Sequence, residues 1–227
     1  MKPRFILSDL VAHLLTEIER DSSVAPTFRR FDQVSSAWSA LLFCILSSQV
    51  RVPKANAALR AILQRVTFDG NVSSTQVYDQ VRDVLRHEDV RYRFPEVKAR
   101  QISHSWFAFA QLGNDLYEFL DSLPDEQSAR AEVTSLFPGL GMKQASMFLR
   151  DIGYSRRLCI IDTHILWYCD QFGRAPTGAL TARRYLEIEK FLLEESDKRG
   201  VSPGIFDSVV WVAARALKAK QCTMQFA

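Results

Sequence analysis

The sequence predicts an all-α fold with short connections. Two observations carry this expectation. Apolar residues recur at helical spacing along almost the whole chain. The one strand-like run, Leu158 to Ile161, has no partner run with which to pair.

The elements follow in order. Leu10, Val11, Leu14, Leu15 and Ile18 make one apolar face, with an N-cap expected at Ser8. A second helix, Val34 to Ser48, is apolar enough to be buried. Pro53 suits the first turn of a third, which carries Ala57, Ala58, Ala61 and Ile62. Ser74, then Val77, Val81, Val84 and Leu85, mark a fourth. Pro95 starts a fifth through Val97, Ile102, Trp106 and Phe109, ended by Gly113. A short sixth covers Asp115 to Leu120. Pro124 and Asp125 open the next, which ends near Leu136. Gly141 to Ile152 follows, with Gly153 as its C′ residue. Asp162 starts a helix ending near Gly173, and Thr181–Lys198 and Pro203–Lys220 complete the set.

Composition excludes several classes. The 227 residues are 47% hydrophobic and 24% charged, enough for a real core. The longest apolar run, Ala40 to Leu46, is too short to span a bilayer. Asp9 and His13 interrupt the N-terminal apolar stretch, so it does not read as a signal peptide. These features predict a soluble, intracellular protein with no membrane contact. The net charge of +3 permits nucleic-acid binding without arguing for it. Arg91, Arg93, Lys98 and Arg100 cluster, as do Arg150, Arg156 and Arg157; alone, such clusters read as solvated helix faces. Cys44, Cys159, Cys169 and Cys222 form no C-x-x-C pair. His13, His87, His104 and His164 lack metal-ligand spacing. No metal and no cofactor is expected.

The densest signal is Phe137-Pro138-Gly139-Leu140-Gly141-Met142-Lys143-Gln144-Ala145. Pro138 ends one helix, because proline disfavours helical geometry in the residue before it. Gly139 and Gly141 are expected to adopt unusual backbone angles and to leave room for a close neighbour. The following helix then begins with free N–H groups and a positive dipole end, where a phosphate can sit. An ordinary αα-hairpin uses the same connector, and the glycines alone favour that plain reading.

Phe137 to Leu149 resembles the helix-hairpin-helix of the DNA glycosylase superfamily that includes endonuclease III and the 8-oxoguanine DNA glycosylases. Ala40 to Gln49 is similar to that family's buried second helix ending in L-S/T-x-Q, and Asp162 to Ile165 to its catalytic aspartate motif. The archaeal-type 8-oxoguanine glycosylase/lyase branch is matched most fully. Lys143-Gln144-Ala145-Ser146 with Phe148-Leu149-Arg150 is similar to its K-E-A-S-H-F-L-R, Arg93-Phe94 with Lys98-Ala99 to its R-F-x-x-x-K-A, and Asp207 with Trp211 to its D-x-x-x-W. The chain also departs from that branch. Thr163 and His164 make the aspartate motif look like endonuclease III, whose iron–sulfur cluster these cysteines do not supply. After Trp211 the branch continues Y-x-x-T-G, where this chain reads Val212-Ala213-Ala214-Arg215 and runs on to Ala227.

The resemblance implies two helical lobes with the active site in a cleft between them. The central lobe, residues 34–152, would end in the helix-hairpin-helix of residues 137–149; residues 1–33 and 153–227 would form the other. Lys143 would be the nucleophile. Lysine attacks the sugar C1′ only as a free amine, which a positive helix end and burial both favour. Expulsion of the base leaves an imine that permits β-elimination on the 3′ side. Asp162 precedes a helix, so it is expected to cap it, and a capping carboxylate can also steady an oxocarbenium-like sugar. By resemblance Gln49 fills the gap left by the extruded nucleotide, and Gly139, Gly141 and Met142 hold the backbone. Phe94, Asp207 and Trp211 are base-pocket candidates, by stacking or by accepting from a base edge; for the two aromatics, core packing is the plain alternative.

The expected function is a bifunctional glycosylase/lyase that excises 8-oxoguanine from double-stranded DNA as a monomer, in the cytoplasm at the nucleoid. Three alternatives stand beside it: an oxidised-pyrimidine glycosylase/lyase like endonuclease III without its cluster, a non-catalytic DNA-binding hairpin protein, and a helical protein that binds no DNA.

Overall fold

A computed structural model describes residues 3–20, 34–112, 115–174 and 178–224. The described residues form eleven helices and no strand. They divide into two compact units, Arg29–Tyr154 and Met1–Phe28 with Ser155–Ala227.

The central unit holds α2 (Val34–Leu46), α3 (Val52–Arg65), α4 (Ser74–Arg86), α5 (Pro95–Leu112), α6 (Leu116–Asp121), α7 (Glu126–Leu136) and α8 (Met142–Asp151). Its helix starts follow local chemistry. Pro53 sits in the first turn of α3. Ser73 and Gln76 make a reciprocal capping box on α4, worth about 1 kcal/mol. Asp125 accepts from the Ser128 N–H at 2.7 Å to open α7, and this bond holds its carboxyl below the usual range. α2 is the buried centre, with Leu41, Leu42, Cys44, Ile45 and Leu46 fully inaccessible, and it packs on α3, α5 and α8. An aromatic cluster continues this core: Trp38 touches Phe68, Trp106 and Phe109, and Phe109 leads through Phe137 to Phe148.

The terminal unit holds α1 (Pro3–Arg20), α9 (Thr163–Gln171), α10 (Ala182–Asp197) and α11 (Pro203–Met224). α11 is its axis and packs on α1, α9 and α10. Tyr168 sits among Phe172, Phe191 and Phe206.

The structure corrects four details. Ser8 does not cap α1 but lies inside it: Leu7, Val11 and Leu15 recur at one-turn spacing, all buried, and extend the apolar face upstream. α2 stops at Leu46 rather than Ser48, and α11 continues past Lys220 to Met224. The basic clusters are not simply solvated faces, since Lys98 and Arg150 are buried. The stop expected at Gly113 lies outside the described residues.

Candidate active site

The hairpin is built from α7 and α8. Phe137, Ala145, Phe148 and Leu149 are wholly buried, and Arg130 Nη1 donates to Ser146 Oγ at 3.2 Å beneath them. Gly139 has φ +95, a left-handed conformation that favours glycine. Gly141 corrects the sequence expectation. Its φ of −92 and ψ of −178 are ordinary extended backbone, open to any residue. Gly141 is the N-cap of α8 and offers no side chain to the first helical N–H groups, which leaves that helix end available to an anion. Met142 and Lys143 are the first two residues of α8, and both are half-buried. The Lys143 charge is felt at Cys44 on the neighbouring α2. Burial pushes that thiol far above its ordinary value, the Asp151 charge adds to the effect and Lys143 opposes it. Gly153, at φ +72, closes α8: its N–H reaches the Arg150 carbonyl and that of Tyr154 the Leu149 carbonyl.

The C-terminal end of α2 forms a second feature of the same unit. Gln49, just beyond it, is exposed with φ +62. Phe94, the residue before α5, is 43% exposed with φ +62 although Pro95 follows, and the Arg93 guanidinium lies 4.6 Å from its ring centre. Non-glycine residues rarely hold such angles unless their surroundings enforce them, and enforced strain gathers at functional positions. The enforcement is visible. Lys98 Nζ donates to the Ile45 carbonyl at 2.7 Å, and the Tyr92 hydroxyl donates to that of Leu46. The segment that carries Phe94 is thereby tied to the helix end that carries Gln49. Burial lowers the Lys98 pKa and pushes that of Tyr92 up to about 12.

In the terminal unit, Asp162 is the N-cap of α9. Its Oδ1 accepts from the His164 N–H at 2.8 Å and the Ile165 N–H at 3.0 Å. Its Oδ2 accepts from the Trp211 indole N–H at 2.8 Å. The His164 ring meets Trp211 edge to face, and the Arg215 guanidinium lies 5.0 Å from the indole centre. Asp207 is buried, at 3% exposure, and its Oδ2 accepts from the Ile160 N–H at 2.7 Å. Asp162, Asp207 and Trp211 therefore belong to one bonded assembly.

Sequence reasoning missed two members of that assembly. The Cys159 N–H donates to buried Glu189, and the Tyr185 hydroxyl donates to the Cys159 carbonyl while accepting from the Ile161 N–H. The signal was the isolated extended run itself. Buried backbone groups with no partner strand must find side-chain partners. Among the described residues, no three His, Cys, Asp or Glu side chains converge as a metal site, and no helix is long and apolar enough to cross a membrane.

Comparison with known proteins places this geometry in context. The family model described as 8-oxoguanine DNA glycosylase matches residues 24–201. The 8-oxoguanine DNA glycosylase/AP lyase of Saccharolobus solfataricus is 29% identical over 176 residues, which is 75% of this chain and 78% of the relative. The crystal structure of the Methanocaldococcus jannaschii 8-oxoguanine DNA glycosylase shares the fold, with a TM-score of 0.70 and 22% identity over 91% of this chain and 92% of that one. A second structure of the M. jannaschii glycosylase/lyase, bound to a 15mer DNA containing 8-oxoguanine, superposes with a TM-score of 0.61 at 21% identity, covering 90% of this chain and 88% of that one.

Proposed function

The chain belongs to the 8-oxoguanine DNA glycosylase family, and on that premise we propose that it excises 8-oxoguanine from duplex DNA and nicks the resulting site through an imine at Lys143. The observation that carries the reading is the position of Lys143. It is the second residue of α8, just after a hairpin whose N-cap has no side chain, so a lysine amine stands in the first turn of an anion-accepting helix end.

The steps assign roles to this chain's residues. The hairpin N–H groups hold a backbone phosphate. Gln49, raised on its strained turn, occupies the space of the extruded nucleotide, whose flipping costs a few kcal/mol. Exposed Phe94 offers a ring face to the flipped base. The Lys143 amine attacks C1′, the C1′–N9 bond breaks, and the base leaves with the bonding pair and takes a proton. Asp162, with its orientation set by backbone N–H groups, stabilises the positive charge that develops on the sugar. The attached amine loses a proton, the C1′–O4′ bond opens with the ring oxygen taking up a proton, and the protonated imine forms. C2′ is then deprotonated, and the 3′ phosphate departs with the C3′–O3′ bonding pair. The protein acts as a monomer on the DNA of the cytoplasm.

Borohydride trapping on a duplex with one 8-oxoguanine tests this. Wild-type protein gives a covalent adduct and Lys143→Gln gives none. If the wild type forms an adduct on an abasic site but none on 8-oxoguanine, the assigned base is wrong. If it forms none on either, the imine mechanism is wrong.

A further inference from the structure

We propose that α11 is a two-pronged clamp that aims the Asp162 carboxylate, with Asp207 and Trp211 as its positioning residues. The proposal rests on the reading that Asp162 acts at the sugar.

Leu158 to Ile161 lies outside any helix, is buried or half-buried, and has no strand beside it among the described residues. Such a segment has no ladder to fix its register, so side chains must do it. Asp207 and Trp211 are four residues apart on α11 and share one helix face. Asp207 Oδ2 accepts from the Ile160 N–H at 2.7 Å, and the Trp211 indole N–H donates to Asp162 Oδ2 at 2.8 Å. One grip thus falls on each side of Ile161, and together they fix both the backbone leading into Asp162 and the rotation of its side chain.

The carboxylate geometry carries the argument further. An ionised carboxylate offers about four lone-pair directions. In Asp162 three are occupied, two on Oδ1 by helix N–H groups and one on Oδ2 by Trp211. One direction on Oδ2 is left for a substrate or for an incoming amine. Asp207, at 3% exposure, accepts from the Ile160 N–H and from the Ser208 hydroxyl. Hydrogen bonds of this kind compensate the burial of a polar side chain. The Trp211 N–H is likewise already engaged.

The test is a double-mutant cycle in the full-length protein. Trp211→Phe keeps an aromatic ring while removing the indole donor and part of the ring's bulk. It is expected to slow single-turnover excision of 8-oxoguanine by about tenfold or more while changing duplex affinity less than about twofold. In an Asp162→Asn background the same change adds no further loss, because the residue acts through Asp162. Asp207→Ala gives the same pattern, and Asp207→Asn, which keeps an acceptor for Ile160, loses less. Equal slowing in both backgrounds, or a loss explained wholly by affinity, overturns the clamp. A readout independent of activity separates this from the function itself: the Trp211 indole N–H proton resonance shifts in Asp162→Asn if the bond exists. An unmoved resonance overturns the clamp. A wild type that excises no 8-oxoguanine but shows the shift overturns the functional reading and retains the clamp as architecture.

Discussion

A Cβ placed on Gly139 would lie 2.5 Å from Gln101 Oε1, so the tip of the hairpin is fitted against a side chain of α5. The Gln101 end can swing, which leaves the φ of +95 as the larger obstacle to any other residue. Gly139→Ala is therefore expected to cost about 1–2 kcal/mol of stability, measured by denaturant unfolding. Gly141→Ala meets nothing closer than Gln144 at 4.0 Å and keeps an ordinary φ, so it adds no strain and costs only the N-cap preference for glycine, about 1 kcal/mol. Any loss of DNA affinity in Gly141→Ala then reports the approach of a phosphate backbone to the N-cap. Unchanged affinity in that variant would remove Gly141 from the DNA contacts.

Gln49 separates stability from function. Its left-handed backbone costs of order 1 kcal/mol that glycine would not bear. Gln49→Gly is expected to match or exceed wild-type stability, whereas Gln49→Ala keeps the strain. Both lose the side chain proposed to replace the extruded nucleotide, so both weaken binding to a damaged duplex by similar factors. If Gln49→Gly is clearly less stable than wild type, the turn is not strained. If neither variant binds damaged DNA more weakly, Gln49 is not the plug.

Many of the helices were legible because they are bounded by residues with few alternatives, such as Pro53, Asp125, Asp162 and Gly153, and carry a buried stripe at helical spacing. Asp162 as a cap was legible for the same reason: the bond is local, two and three residues along the chain. The partner on its other oxygen was not, because Trp211 lies 49 residues away and an aromatic next to a D-x-x-x spacing reads equally as core or as pocket. Glu189 and Tyr185 were invisible for a similar reason, since α10 reads as an ordinary amphipathic helix until its neighbour is known to be a buried segment outside any helix. Positive φ at Gln49 and Phe94 leaves no compositional trace at all, because neither residue is one that prefers it.

Tyr92 predicts an alkaline weakness. Its hydroxyl donates to the Leu46 carbonyl and burial raises its pKa to about 12 from 10.0. The folded state therefore holds a proton that the unfolded chain releases, and stability present below pH 10 is lost as the pH climbs toward 12. After allowance for partial solvation the loss amounts to about 1–2 kcal/mol. Tyr92→Phe is expected to be about 1 kcal/mol less stable than wild type at pH 7, where it lacks the hydrogen bond. Urea unfolding across that pH range should show the gap narrowing as the wild type weakens. A constant gap would mean that Tyr92 does not titrate as a buried phenol.

Lys98 has the opposite sign. Burial lowers its pKa below the ordinary 10.5, so over that window the unfolded chain binds a proton the folded chain does not. Stability attributable to Lys98 therefore rises with pH until the unfolded lysine also loses its proton. Lys98→Met keeps the aliphatic stem and removes both the charge and the bond to the Ile45 carbonyl. These effects oppose each other, so the net change at pH 7 is expected to be small, within about 1 kcal/mol. The wild type should gain on the variant as pH rises from neutral toward 10, before Tyr92 begins to titrate. The freed end of α2 should also loosen the turn that presents Gln49, seen as faster amide exchange at residues 47–50 and weaker binding to a damaged duplex. A variant with unchanged exchange there would show that α2 ends rigidly without Lys98, and that the Tyr92 hydroxyl alone holds it.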